Sequence, residues 1–96
     1  MKRLSGKVAV ITGGNSGIGK SIAQKYYEEG AKVVVFGRNK EKLQEVKSEI
    51  SSDILTVSGD VTNTADLKNL FEKTNDHFGK INILVANAGV GRPKKI

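Results

Sequence analysis

Along the chain, apolar residues gather in two kinds of pattern that alternate. Four short runs rich in valine and isoleucine, Lys7 to Thr12, Lys32 to Gly37, Ile54 to Ser58 and Ile81 to Ala86, predict β-strands. Three intervening segments carry apolar residues at spacings of three and four, the period of an amphipathic helix. In the first, Ile18, Ile22, Ala23 and Tyr26 share a face, and Gly30 stands where a helix end favours positive φ. In the second, Leu43, Val46 and Ile50 face one way behind Asn39 as N-cap, with Lys and Glu on the outer side. The third and longest begins at Asn63, with Asp66 three residues on, and carries Leu67, Leu70, Phe71, Thr74 and Phe78 in one stripe up to Gly79.

Strands alternating with helices predict an α/β fold in which a parallel sheet is built by crossover helices. Runs such as Val33-Val34-Val35-Phe36 are apolar without alternation, as expected of strands covered by helices on both faces. No internal repeat, low-complexity segment or linker interrupts the pattern. A chain of 96 residues accommodates one domain at most, and its small core makes marginal stability the expectation.

The formal charge of +6 suggests an anionic partner until it is mapped onto the chain. Lys2, Arg3 and Lys7 at one end and Arg92, Lys94 and Lys95 at the other account for the whole excess, because residues 8–90 carry ten bases and ten acids, interspersed. With few aromatic residues and no base-reading motif, nucleic acid is not an expected partner. Apolar runs no longer than four residues leave neither a signal-peptide core nor a membrane span, so a soluble, cytoplasmic protein is expected. There is no cysteine, hence no disulfide, thiolate metal site or cysteine nucleophile. There is no acidic cluster either, and no metal site is expected. The single histidine, His77, lies near the end of the third helix, where a surface position beside the negative helix end accounts for it.

The chemistry concentrates where predicted strands end, the edge at which open α/β sheets bind ligands. Thr12-Gly13-Gly14-Asn15-Ser16-Gly17-Ile18-Gly19 joins the first strand to the first helix. Free backbone N–H groups and the positive helix end favour a phosphate there without any basic side chain. By analogy with the dinucleotide fingerprint, Gly13 permits the tight turn, Gly17 the approach of a pyrophosphate and Gly19 close packing of helix on sheet. The same residues also satisfy the pattern of a nucleoside-triphosphatase P-loop, Gly14 followed by Gly19-Lys20-Ser21. That reading lacks an aspartate directly ending another apolar strand, since the second strand ends in Gly37-Arg38 and the fourth leads into Asn87.

At Gly37-Arg38 a dinucleotide site normally offers an acid to the adenosine ribose; an arginine instead favours a 2′-phosphate, and so NADP over NAD, with NAD still possible. Asp60-Val61, after the third strand, offers a carboxylate to an adenine amino group and an apolar contact, although helix capping competes as the role of Asp60. Asn87-Ala88-Gly89, after the fourth, offers a side chain that braces neighbouring loops and a small-residue platform for a flat ring.

In order and spacing these motifs resemble the short-chain dehydrogenase/reductase family over nearly the whole chain, with Ala86 in place of the first asparagine of the Asn-Asn-Ala-Gly sequence that many members carry. The resemblance implies the N-terminal half of a Rossmann-type doubly wound parallel sheet, strand order 3-2-1-4 with three helices. It implies an oxidoreductase that interconverts an alcohol and a carbonyl by hydride transfer. The cofactor-binding residues it implies are Gly13, Asn15, Ser16, Gly17, Ile18, Gly19, Arg38, Asp60, Val61, Asn87, Ala88 and Gly89. The family's catalytic tyrosine stands four residues before a lysine, but Gly30 and Ala31 stand four residues after Tyr26 and Tyr27. Residues 1–96 are therefore expected to be a partial dinucleotide-binding domain without catalytic residues, from a family whose intact members are usually homo-oligomers acting on small molecules. A stand-alone, non-catalytic nucleotide-binding module is the alternative.

Overall fold

A computed structural model describes residues 3–13 and 17–87. Its elements run β1 (Val8–Thr12), α1 (Gly17–Glu28), β2 (Lys32–Gly37), α2 (Lys40–Ile50), β3 (Leu55–Ser58), α3 (Thr64–His77) and β4 (Ile83–Ala86). The four strands form one sheet in the order β3-β2-β1-β4, and every neighbouring pair is parallel. The expected α/β architecture and strand order are those observed.

The period of two along the strands divides the core between the two faces of the sheet. Ala9 and Ile11 of β1 and Val33 and Val35 of β2 join Ala23 of α1 and Leu43 and Val46 of α2 in one buried cluster. Val10, Val34, Phe36 and Val57 point the other way and pack against Leu70 of α3. The sheet therefore has α1 and α2 on one side and α3 on the other, which explains the lack of apolar alternation in β1 and β2. All five residues of β1 and the last five of β2 are buried.

Two expectations about burial are corrected. β4 alternates between half-buried and exposed positions, with Leu84 54% exposed; the buried cluster around Leu70 of α3 takes in residues of β1, β2 and β3 but none of β4. Ile18, expected on the core face of α1, is 71% exposed. It lies one turn before half-buried Ile22, at the margin of the face that Gly19 and Ala23 turn to the core. The predicted caps are present: Asn39 Oδ1 accepts from the Lys42 N–H, and Asn63 Oδ1 accepts from the Asp66 N–H, both at 3.0 Å. Gly30 and Gly79 follow α1 and α3 with φ of +93° and +103°. Tyr26 and Tyr27 pack at the end of α1 against the core, and the Tyr27 hydroxyl donates to Asp53 Oδ2 at 3.1 Å. His77 is exposed and sets its ring edge-on to Phe78 at 4.6 Å. Among the described residues, no helix is long and apolar enough to cross a membrane.

Candidate functional site

The carboxyl ends of the parallel strands open into a cavity of about 800 Å³. Thr12 and Gly13 enter it from β1, Gly37 and Arg38 from β2, Gly59 to Thr62 from beyond β3, and Ala86 and Asn87 from β4. Five of the residues singled out from sequence, Gly13, Arg38, Asp60, Val61 and Asn87, thus converge although up to 74 positions separate them in the chain. They converge because parallel strands deliver all their carboxyl ends to one edge.

Gly13 turns the chain out of β1 with φ of +70°, a conformation that side chains other than glycine resist. A Cβ there would also collide with the main-chain oxygen of Asn87. The Asn87 amide donates to the Gly13 oxygen at 3.2 Å, so the loops after β1 and β4 brace each other. Gly17, Ile18 and Gly19 form the first turn of α1 and do not line this cavity. Gly19 is buried, Gly17 and Ile18 are exposed, and a Cβ on Gly17 would meet nothing within 4 Å. Asn15, Ser16, Ala88 and Gly89 lie outside the described residues.

Among the described residues, no geometry supports the P-loop alternative. Lys20 turns away to an ion pair with Glu49 of α2. The Ser21 hydroxyl donates back to the Gly17 carbonyl at 3.1 Å, as helical serines commonly do.

The Asp60 carboxylate is held through both of its oxygens. Its Oδ1 accepts from both the N–H and the hydroxyl of Thr62, each at 2.8 Å, an Asx-turn closed twice. These two bonds, the backbone one first, hold the carboxyl below its ordinary value of 3.8, and the Arg38 guanidinium adds to the effect. Arg38 Nη1 lies 3.9 Å from Asp60 Oδ2. The Asp60 N–H donates to Asp66 Oδ2 at 2.9 Å, and the Asn63 N–H to the Asp60 carbonyl at 2.9 Å. Helix capping is not the role of the Asp60 side chain, because Asn63 caps α3; the main chain of Asp60 joins the turn before that helix, and its carboxylate is presented, fixed, to the cavity. Val61, 51% exposed, adds an apolar surface beside it.

Sequence reasoning missed three residues that shape this loop. Gly59 lets the loop lie on the sheet, since a Cβ would come within 2.8 Å of the Phe36 ring and 2.9 Å of Asp66 Cβ. Thr62 and Asp66 orient Asp60 as described. The signals were present as Asp-x-Thr and Asn-x-x-Asp, but a capping box would have returned Asp66 to the Asn63 N–H, not to the Asp60 N–H.

A family model described as short chain dehydrogenase matches residues 7–96. The chain belongs to the short-chain dehydrogenase family. Oxidoreductase asL5 of Sarocladium schorii is 45% identical over 91 residues, covering 95% of this chain and 36% of that protein. Among solved structures, a 3-ketoacyl-(acyl-carrier-protein) reductase from Brucella melitensis, complexed with NADH, superposes with a TM-score of 0.81 at 41% identity over 84% of this chain and 33% of its own. A variant of the actinorhodin polyketide ketoreductase, with NADPH, gives a TM-score of 0.82 at 31% identity over 91% of this chain and 34% of its own. This member of the short-chain dehydrogenase family thus spans 36 to 42% of the length of the curated relatives it matches.

Proposed function

We propose that residues 1–96 form the cofactor-binding part of a nicotinamide-dependent oxidoreductase that, in its intact form, interconverts an alcohol and a carbonyl on a small molecule. The convergence of Gly13, Arg38, Asp60, Val61 and Asn87 on one cavity carries this reading. Family membership supports it, as do the NADH and NADPH held by similar structures.

The residues fit such a group in size and chemistry. A cavity of about 800 Å³ with apolar walls and few polar groups is within the range of cofactor sites. In this reading the turn from Gly13 through Asn15 and Ser16 to Gly17, Ile18 and Gly19 holds the pyrophosphate with main-chain N–H groups at the start of α1. Asp60 accepts from the adenine amino group and Val61 lies against the ring. Asn87, Ala88 and Gly89 border the adenosine ribose, with Asn87 keeping the β1 and β4 loops in register. The bound cofactor supplies hydride transfer, which the side chains of this segment orient but do not perform.

Arg38 supports a preference for NADP over NAD. Its side chain is 74% exposed at the mouth of the cavity, where the guanidinium can form a charge-assisted pair with a 2′-phosphate in place of, or beside, its contact with Asp60. A cytoplasmic, homo-oligomeric protein is the setting we infer for the intact enzyme. Titration of the intact protein with NADPH and NADH, followed by nucleotide fluorescence, tests the reading. Saturable binding with NADPH the tighter ligand is expected; no binding of either overturns it.

A further inference from the structure

Arg38 and Asp60 are the only charged side chains among the described residues that line the cavity, and they face each other at 3.9 Å. A 2′-phosphate approaching Arg38 therefore meets an acid already paired with that arginine. Asp60 has little freedom to withdraw. Thr62 holds one of its oxygens through two hydrogen bonds, its own N–H is tied to Asp66, and the other oxygen is left toward Arg38. Its carboxyl is held below the ordinary range, so it is charged at neutral pH.

We propose that Asp60 is a specificity-determining residue that opposes the 2′-phosphate, both by tethering Arg38 and by its own charge. Discrimination between the phosphorylated and the unphosphorylated dinucleotide is then set by the Arg38–Asp60 pair as a difference, not by Arg38 alone. The inference rests on the nucleotide-binding reading above. It assigns Asp60 a cost toward one cofactor in addition to its adenine contact.

The test compares adenosine 2′,5′-bisphosphate with 5′-AMP by calorimetry on the intact protein. Both probes carry the adenine, so any loss of the adenine contact cancels in the ratio of their dissociation constants. Asp60→Asn is expected to raise the preference for the bisphosphate about threefold, the scale of an exposed ion pair. Asp60→Ser keeps an acceptor for the Thr62 N–H while removing the charge, and should move the ratio the same way. Arg38→Met should erase most of the wild-type preference, and adding Asp60→Asn to it should give a smaller gain than in the wild type, because no tether remains to be released. An unchanged or reduced preference in both Asp60 variants overturns the proposal, and an equal gain in both backgrounds overturns the tether. Wild-type protein that binds neither probe overturns the nucleotide reading itself, a result distinct from binding both with an unmoved ratio.

Discussion

Asp60 accepts two hydrogen bonds from Thr62 and faces Arg38, and its protonation is where these interactions become measurable. Its native carboxyl lies below the ordinary value of 3.8, chiefly through the Thr62 N–H, then the Thr62 hydroxyl, with Arg38 a smaller influence. A group whose acidity is strengthened by folding adds stability above its unfolded value, and that contribution is lost as pH falls through the lower native value. The loss therefore falls on the acid side of 3.8. Thr62→Val removes the hydroxyl bond and keeps the N–H, so the Asp60 midpoint should rise part of the way to 3.8. Carboxyl carbon shifts followed by NMR through an acid titration check this; a midpoint unmoved by the substitution would contradict the assignment of the shift to Thr62. The loop owes its shape to residues on either side as well. Gly59 lets it reach the Phe36 ring and Asp66 holds its backbone, neither of which an apolar or polar pattern announces, because both depend on what lies across space.

Among the elements, α3 shows how far periodicity reaches. Its stripe predicted Leu67, Leu70, Phe71, Thr74 and Phe78 on one face. Leu70 and Thr74 are fully buried, with the Thr74 hydroxyl donating to the Leu70 carbonyl at 2.8 Å, whereas Phe71 is 41% exposed. The stripe is wider than the strip of sheet beneath it, so its edge overhangs the cavity. Ile18 in α1 is the same case: period gives a direction, and burial also needs a neighbour in that direction. Leu70→Ala should cost about 2 to 5 kcal/mol, as truncations in a packed core do. Phe71→Ala should cost less than half as much in this chain despite the larger side chain. Urea unfolding of the two variants decides, and comparable losses would reject the packing described for α3. Strand positions and helix caps were legible because they follow from local chemistry, and strand order because the motifs at the strand ends resemble those of a family with that order. The half-exposed β4 was not, since its run Ile83-Leu84-Val85 reads like the buried run of β2 and only the position of α3 tells them apart.

At the scale of the whole molecule, the sheet is asymmetric in what its edges present. β3 ends one side with Thr56 and Ser58 among its four residues, so polar side chains interrupt the apolar ones there. β4 ends the other with Ile83, Leu84, Val85 and Ala86, an apolar strand whose outer main-chain groups have no neighbouring strand among the described residues. Exposed Leu84 and Phe71 both border the cavity beside it. An apolar edge with open N–H and C=O groups is a template for another strand, and residues 8–90, which include that strand, carry equal numbers of bases and acids and so no net charge to oppose association there. The polypeptide of residues 1–96 in isolation should therefore self-associate as its concentration rises. Leu84→Lys should suppress this at little cost to folding, since the side chain is 54% exposed and the new charge would face a partner rather than the core. Sedimentation velocity across a concentration series separates the outcomes. A wild-type chain that stays monomeric, or a Leu84→Lys chain that associates as readily, would show that β4 is not the surface along which this half-sheet seeks a partner.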